Sequence, residues 1–271
     1  MPFFKSSDLE LYFEEKRSGI PFFFQHGLGG DISQPFGLLR APAGIRLIAF
    51  DCRGHGRSQL GSKEQLRLST FADDLFALIQ HLQISRAIVG GISMGAAVAL
   101  EFATRYPAKV VGLVLSRPAW LDGPNPFNVQ MFSLIARLMK EHGPARGIEI
   151  FKASPELADL QASYPDTASS LQRQFLNPRA QELCAVLDEI PKEPGPGTRA
   201  DWKRISVPTL VLANKQDPIH PFDYGRSIAD IIPGAEFREI TSKSRDVRLH
   251  EQQVQLFIES FLASHFVCAK A

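Results

Sequence analysis

The sequence predicts an α/β fold in which a mostly parallel β-sheet is flanked by helices. Apolar periodicity switches several times along the chain between the two-residue spacing of strands and the 3.6-residue spacing of helices. Two short apolar runs, residues 21–24 and 45–50, have the composition of buried strands, and each leads into a Gly-rich turn. The chain has 271 residues and no internal repeat, which favours one domain near the upper size of a single core.

Local patterns predict the other core elements. Leu9, Leu11 and Phe13 alternate with polar residues, as in an edge strand. Thr70 and Asp73 have the spacing of a capping box, so we expect a helix to begin there and to pack on the sheet. Further strands are expected at the apolar segments 110–115, 207–213 and 236–240, and the chain is expected to end in a helix that contains residues 254–262.

The middle of the chain, residues 120–203, has a different pattern. It is helical in periodicity, contains no strand signal, and is interrupted at residues 143–144, 177–178 and 191–197 by Pro and Gly. We therefore expect a helical insertion over one end of the sheet. The Pro/Gly-rich segment 191–197 would return the chain to the core.

Charge and cysteine content restrict the partners. The 30 Lys and Arg residues against 29 Asp and Glu leave a net charge of +1, with no long run of either sign, so neither nucleic acid nor a membrane surface is an expected partner. A small-molecule substrate is expected instead, and a homodimer is compatible with the composition. The sequence shows no signal-peptide core and no membrane span. Its cysteines, Cys52, Cys184 and Cys268, match neither a disulfide framework nor a zinc-binding pattern. We therefore expect a cytoplasmic location.

The segment Gly91-Ile92-Ser93-Met94-Gly95 is a G-x-S-x-G pentapeptide between an apolar strand and a small-residue helix. Glycines two residues before and after the serine allow a tight strand-to-helix turn that exposes the hydroxyl above a helix N-terminus. This context gives an otherwise common pattern its specificity, and it predicts that Ser93 is a nucleophile.

With two further motifs, nearly the full length of the chain resembles the α/β-hydrolase fold family, in its capped form with a serine nucleophile. Residues 26–30, His-Gly-Leu-Gly-Gly, resemble the family's oxyanion loop, and residues 51–58 resemble its D-x-R-G-x-G-x-S turn. The resemblance implies an eight-stranded sheet, a core of residues 1–119 and 204–271, and a cap of residues 120–203. It also implies that the backbone N–H groups of Leu28 and Met94 stabilise an oxyanion, which is worth about 3 kcal/mol per donor.

The resemblance further implies an acid after the strand that follows the insertion, where the chain carries Asp217. Its alternative reading is a turn-forming Asp before Pro218. A second candidate acid is Asp122, since some members of the family carry theirs at that place.

The catalytic base is the point at which the sequence departs from the family. The loop between the last strand and the final helix, residues 241–246, contains no histidine, although Asp246 could cap that helix. His250, about one turn into the helix, is the first candidate, and His220, three residues after Asp217, is the second. A third reading has no base, and then the site binds rather than cleaves. His26 and His55 are expected to brace their loops.

These features predict a cofactor-independent, metal-free hydrolase that cleaves an ester, a lactone or an activated carbon–carbon bond through an acyl-enzyme. Trp120, Phe127 and Met131 in the insertion are candidate substrate contacts. The alternative is a relative with an incomplete triad that binds or senses a small molecule, or acts as a cofactor-free lyase or acyltransferase. No nucleotide-binding fingerprint occurs, and Cys52 is expected to be buried and inert.

Overall fold

A computed structural model describes residues 2–124 and 126–267 of the chain, so Cys268 lies outside the described residues. Within these ranges the chain forms one eight-stranded sheet of order β1-β2-β4-β3-β5-β6-β7-β8. The β1–β2 and β2–β4 pairs are antiparallel and the other neighbours are parallel. The strands are β1 (Phe3–Ser6), β2 (Leu9–Lys16), β3 (Gly19–Gln25), β4 (Gly44–Phe50), β5 (Ala87–Ile92), β6 (Val110–Ser116), β7 (Thr209–Ala213) and β8 (Glu236–Glu239). The predicted fold class is confirmed.

Helices cover both faces of the sheet. The helices are α1 (Ser33–Leu38), α2 (Leu68–His81), α3 (Met94–Arg105), α4 (Gln130–Lys152), α5 (Pro155–Ser163), α6 (Pro165–Phe175), α7 (Ala180–Glu189), α8 (Arg199–Trp202), α9 (Phe222–Ile231) and α10 (Val247–His265). On one face, α2, α3 and α9 pack in a core that continues into α4–α7. On the other face, α10 buries Val254, Ile258 and Phe261 against the sheet. The central parallel strands β5, β6 and β7 are largely apolar because both of their faces are covered, whereas the edge strand β8 is polar and more exposed.

Two details of the sequence interpretation are wrong. The strand that contains Leu9 and Phe13 is not at the edge, because β1 pairs with it and occupies that position. Helix α2 begins at Leu68 rather than at Thr70, and its N-cap residue, Arg67, makes no side-chain capping bond. Asp73 bonds instead with Arg105 and Tyr106. Tertiary partners thus replace the local capping box.

Helices α4 to α8 lie between β6 and β7, and none of the described residues in this interval forms a strand. Helix α4 is broken at Gly143, whose φ of 72° and ψ of 161° are not helical, next to Pro144. The position of this break agrees with the sequence. No helix within residues 2–124 and 126–267 is long and apolar enough to cross a membrane.

Candidate active site

Ser93 lies in the turn between β5 and α3, with a φ of 56° and a ψ of −114°. Such a backbone conformation is strained for a non-glycine residue and is typical of functional sites. The two flanking glycines permit it. A Cβ on Gly95 would lie 2.4 Å from the Gln25 carbonyl oxygen, and a Cβ on Gly91 would lie 2.4 Å from the Gly95 carbonyl carbon. Only glycine therefore fits at these two positions.

The loop after β3 lies against this turn. A Cβ on Gly27 would be 3.4 Å from the Ser93 Cβ. The Gly27 N–H donates to Gln34 Oε1 (2.7 Å) and the Gly29 N–H donates to His55 Nε2 (3.1 Å). In the described part of the chain, the Leu28 N–H between them donates to no protein acceptor. The Met94 N–H, at the first position of α3, has no partner within the helix. The N–H groups of Leu28, on the adjacent loop, and of Met94, directly after Ser93, are therefore two free backbone donors.

His26 and His55 hold this loop in place. The Nδ1–H of His26 donates to the Gly27 carbonyl (2.8 Å), and its Nε2 accepts from the Cys52 N–H (3.0 Å). His55 makes the equivalent pair with the Arg53 carbonyl (3.0 Å) and the Gly29 N–H. Burial lowers the pKa of both imidazoles. Each ring is thus neutral with both nitrogens occupied, and neither is available for proton transfer.

Asp217 follows β7, where parallel strands present their carboxyl ends. Its Oδ1 accepts from the backbone N–H groups of Ile219 (3.2 Å) and His220 (3.1 Å), and its Oδ2 accepts from Arg117 Nη2 (2.6 Å) and Nε (3.1 Å). Burial raises the pKa of the carboxyl, but His220 and Arg117 outweigh this effect and hold the pKa well below its usual range. Asp217 is therefore a buried carboxylate with a full set of donors.

Arg117 is a site residue that the sequence interpretation missed. It directly follows β6, in register with Ser93: the Ser93 N–H donates to the carbonyl of Ser116 (3.0 Å). Its side chain is 12% exposed, and its guanidinium reaches across to Asp217. Its position could have indicated a role in the site, because a charged residue at the carboxyl end of a buried parallel strand lies on the ligand-binding side of such sheets.

His220 contacts the acid directly. Its Nδ1 lies 2.9 Å and 3.0 Å from the two carboxylate oxygens of Asp217, and 3.0 Å from Nη2 of Arg117. Its Nε2 is buried and has no hydrogen-bond partner among the described residues. Burial lowers the pKa of His220; Asp217 opposes this shift, and Arg117 adds to it. The ring is thus a neutral imidazole with one nitrogen on a carboxylate and the other unoccupied.

His250 lies in the first turn of α10 and is buried, with 2% of its surface exposed. Its Nδ1–H donates to the Thr241 carbonyl (2.7 Å), which leaves Nε2 unprotonated. Burial, followed by Arg117 and Lys243, lowers the pKa of His250 to about 3. Asp246 caps this helix, as the sequence suggested, by accepting from the Leu249 N–H.

The structure separates the four candidates for acid and base. Asp217 and His220 are joined, whereas no hydrogen bond within the described ranges links His250 to Asp217. The hydroxyl of Ser93 is likewise not bonded to either histidine in those ranges. Asp122 pairs with Arg199 on the partly exposed side of the insertion, at 3.1 Å.

The three candidate substrate contacts occupy different environments. Phe127, which is 90% exposed, and Met131 line a cavity of about 550 Å³ between α4, α6 and the residues that flank Asp217. Trp120 does not line it and is buried in the core. The other lining residues are mostly apolar: Asn128, Gln130, Leu134, Leu160, Thr167, Leu171, Pro218, Ile219, Pro221 and Tyr224. The cavity is thus suited to an apolar group close to the acid.

Helix α6 covers the loop at residues 26–30. A Cβ on Gly29 would lie 1.8 Å from Oε1 of Gln174, and this oxygen is buried with no partner in the described chain. Gln174 is a second residue that the sequence interpretation missed, because only tertiary packing brings it there.

Cys52 is buried and burial raises its pKa, as expected for an inert thiol. Across residues 2–124 and 126–267, no group of three or more His, Cys, Asp or Glu residues could hold a metal ion.

Comparison with known proteins identifies relatives of this chain. A family model described as "alpha/beta hydrolase fold" matches residues 20–244. The chain is 30% identical over 238 residues to the AB hydrolase superfamily protein YisY of Bacillus subtilis, covering 80% of this chain and 82% of the relative. It is 25% identical over 186 residues to 3-oxoadipate enol-lactonase 2 of Acinetobacter baylyi, covering 69% and 67%. A thermophilic esterase from Thermogutta terrifontis superposes with a TM-score of 0.69 at 24% identity, covering 95% and 97%.

Proposed function

Because the chain belongs to the α/β-hydrolase fold family, we propose that it is a serine-dependent hydrolase of carboxylic esters or lactones. The observation that carries this proposal is the strained turn at Ser93, next to a loop whose Leu28 N–H is free and followed by the free N–H of Met94. These donors would bind the oxyanion that forms when the Ser93 hydroxyl attacks a carbonyl. Relatives named as an enol-lactonase and an esterase support the class of reaction.

We assign the base to His220 and the acid to Asp217. A serine hydroxyl must lose its proton on attack, and an imidazole oriented by a carboxylate can accept that proton and later give it to the leaving group. The contact of His220 Nδ1 with both carboxylate oxygens and the unoccupied Nε2 support this role. His250 has an unprotonated Nε2 but is oriented by a backbone carbonyl rather than by an acid, which makes it the weaker candidate.

The reaction would proceed through an acyl-enzyme. His220 accepts the proton of Ser93, the tetrahedral oxyanion collapses, and the protonated imidazole gives its proton to the departing alkoxide. Water then attacks the acyl group, His220 takes its proton, and the imidazolium returns this proton to the Ser93 oxygen as the bond between that oxygen and the acyl carbon breaks and the carboxylic acid leaves. The cavity lined by Phe127 and Met131 would hold an apolar part of the substrate, since it lies beside Pro218 and Ile219.

The proposal is tested with a fluorophosphonate probe and a short p-nitrophenyl ester. The wild type should be labelled and turn over the ester, and Ser93→Ala should lose both. Ser18→Ala, which removes an exposed hydroxyl, is the control and should behave as wild type. Labelling that survives in Ser93→Ala would contradict the assignment of the nucleophile.

A second candidate function is binding of a small molecule without turnover. The observation that favours it is the position of Arg117, whose guanidinium forms an ion pair with Asp217 and lies 3.0 Å from the imidazole of His220. A protonated His220 would place a second positive charge beside this guanidinium, which is unfavourable. The absence of a histidine in residues 241–246 points the same way. A folded wild type that is neither labelled nor active on the ester would favour this function.

A further inference from the structure

The loop between β8 and α10 lies beside the acid and is firmly held there. The buried Ser242 donates its hydroxyl to the Gln216 carbonyl (3.2 Å), next to Asp217, and accepts from the Ser244 N–H (3.2 Å). The Thr241 N–H donates to Gln253 Oε1 (2.6 Å). Lys243 therefore lies between two residues, Ser242 and Ser244, that are held by hydrogen bonds.

Lys243 is half-buried and has no carboxylate within 4 Å in the described part of the chain. Other lysines are paired at that distance, for example Lys215 with Glu239 (3.1 Å) and Lys192 with Asp188 (2.9 Å). Burial lowers the pKa of Lys243, and Arg117 is the strongest of its charged neighbours, ahead of Asp166, Glu251 and Arg173. The charge of Lys243 thus lies near enough to Arg117 and His220 to act on both.

Among the described residues, Lys243 has no directly bonded counter-ion at this place. Arg117 and Asp217 neutralise one another through two hydrogen bonds to one oxygen. His220 and His250 have lowered pKa values and contribute no charge at neutral pH. Asp166, Glu251 and Arg173 also act on Lys243, but neither carboxylate lies within 4 Å of its ammonium in the described residues. A partly desolvated cation without a counter-ion is unfavourable, and an anion beside it would remove that cost.

We infer that the substrate carries a carboxylate remote from the scissile carbonyl, and that Lys243 is its counter-ion. This inference rests on the proposed function and specifies the substrate class of the same site. The loop at residues 241–246 would then serve substrate selection rather than proton transfer. Arg117, being already bonded to Asp217, would add long-range attraction only.

The test compares two esters of equal chain length, mono-p-nitrophenyl adipate and p-nitrophenyl hexanoate, which end in a carboxylate and a methyl group respectively, in low-salt buffer. The wild type should prefer the adipate ester in kcat/KM by about 10-fold, and added salt should reduce the preference. Lys243→Met should abolish the preference, and Lys243→Arg should retain most of it. The control is Arg245→Met, which removes an exposed positive charge from the same loop and should leave the preference intact.

The outcomes separate this inference from the proposed function. If the wild type hydrolyses both esters equally well, or if Lys243→Met keeps the preference, the inference is wrong and the hydrolase proposal stands. If neither ester is turned over and no fluorophosphonate label appears, the hydrolase proposal fails. Calorimetric titration with adipate then decides the inference: binding to wild type that is lost in Lys243→Met supports it, and no binding overturns it.

Discussion

The nucleophile side and the acid–base side of the candidate site are built in different ways. Around Ser93, the geometry comes from the backbone: two glycines that allow close approach, a strained φ, and two free N–H groups. Around Asp217, the geometry comes from the side chains of Arg117 and His220. The first arrangement is encoded by short motifs, whereas the second depends on residues up to 103 positions apart.

This difference shows which half of the site can vary. Backbone donors tolerate many side chains, so the sequence around Ser93 can change without loss of the oxyanion geometry, provided that the glycines remain. A side-chain network has no such tolerance, since every member determines the partners of the others. Four experiments test the contrast.

The largest effect is expected on the acid–base side. His220→Ala should reduce kcat by about 1,000-fold, because the proton of Ser93 would lose its acceptor. His250→Ala should reduce kcat far less. Steady-state turnover of a p-nitrophenyl ester by both variants measures the difference, with circular dichroism to confirm folding. A loss confined to His250→Ala would transfer the role of base to His250.

On the backbone side, Gly95→Ala should destabilise the fold by about 2–3 kcal/mol, because the new Cβ would lie 2.4 Å from the Gln25 carbonyl. Urea denaturation measures the change. Gly37→Ala is the matched control: Gly37 lies in helix α1, and its Cβ would meet nothing within 4 Å, so this variant should be neutral or slightly more stable. Equal stability of the two variants would show that residue 95 does not lie as close to the Gln25 carbonyl as the structure indicates.

The buried His250 should make the protein sensitive to acid. Its pKa is about 3 in the folded state. In the unfolded chain it is about 6.5, so the stability conferred by the neutral ring is complete above that pH and is lost as the pH falls towards 3. Between pH 7 and pH 5 the wild type should lose about 2 kcal/mol more than His250→Asn, whose amide can still donate to Thr241.

Urea denaturation at the two pH values measures this difference. His142→Asn, which replaces an exposed ring, should retain the full pH dependence of the wild type. An identical loss of stability in wild type and His250→Asn would show that His250 is not buried in its neutral form.

The smallest effect is expected from Arg117→Met. Burial lowers the pKa of His220 and Arg117 adds to this shift, so the acid limb of the kcat/KM profile should lie below pH 6.5 in the wild type. Removal of the guanidinium should move this limb upward by about 1 pH unit. Arg199→Met, which breaks the exposed pair with Asp122, is the control and should leave the limb in place. An unchanged profile in Arg117→Met would mean that His220 is not the titrating base.

The success of the sequence interpretation follows the same division. The sheet, the turn at Ser93 and the break at Gly143 were predictable because each depends on neighbours within a few positions. The start of α2 was not, since Asp73 bonds with Arg105 and Tyr106, which belong to the next helix and its C-cap. Nor could local patterns identify β1, a strand of four residues, as the edge of the sheet.

The sequence by itself determined the fold class, the family resemblance and the position of Ser93, because periodicity and glycine spacing act through the local backbone. Only the tertiary structure decided that His220 bonds with Asp217, that Arg117 joins them, and that His250 is buried against a carbonyl. The physical reason is that hydrogen bonds between side chains depend on distances of a few tenths of an ångström, and these are set when the ends of β6, β7 and β8 converge.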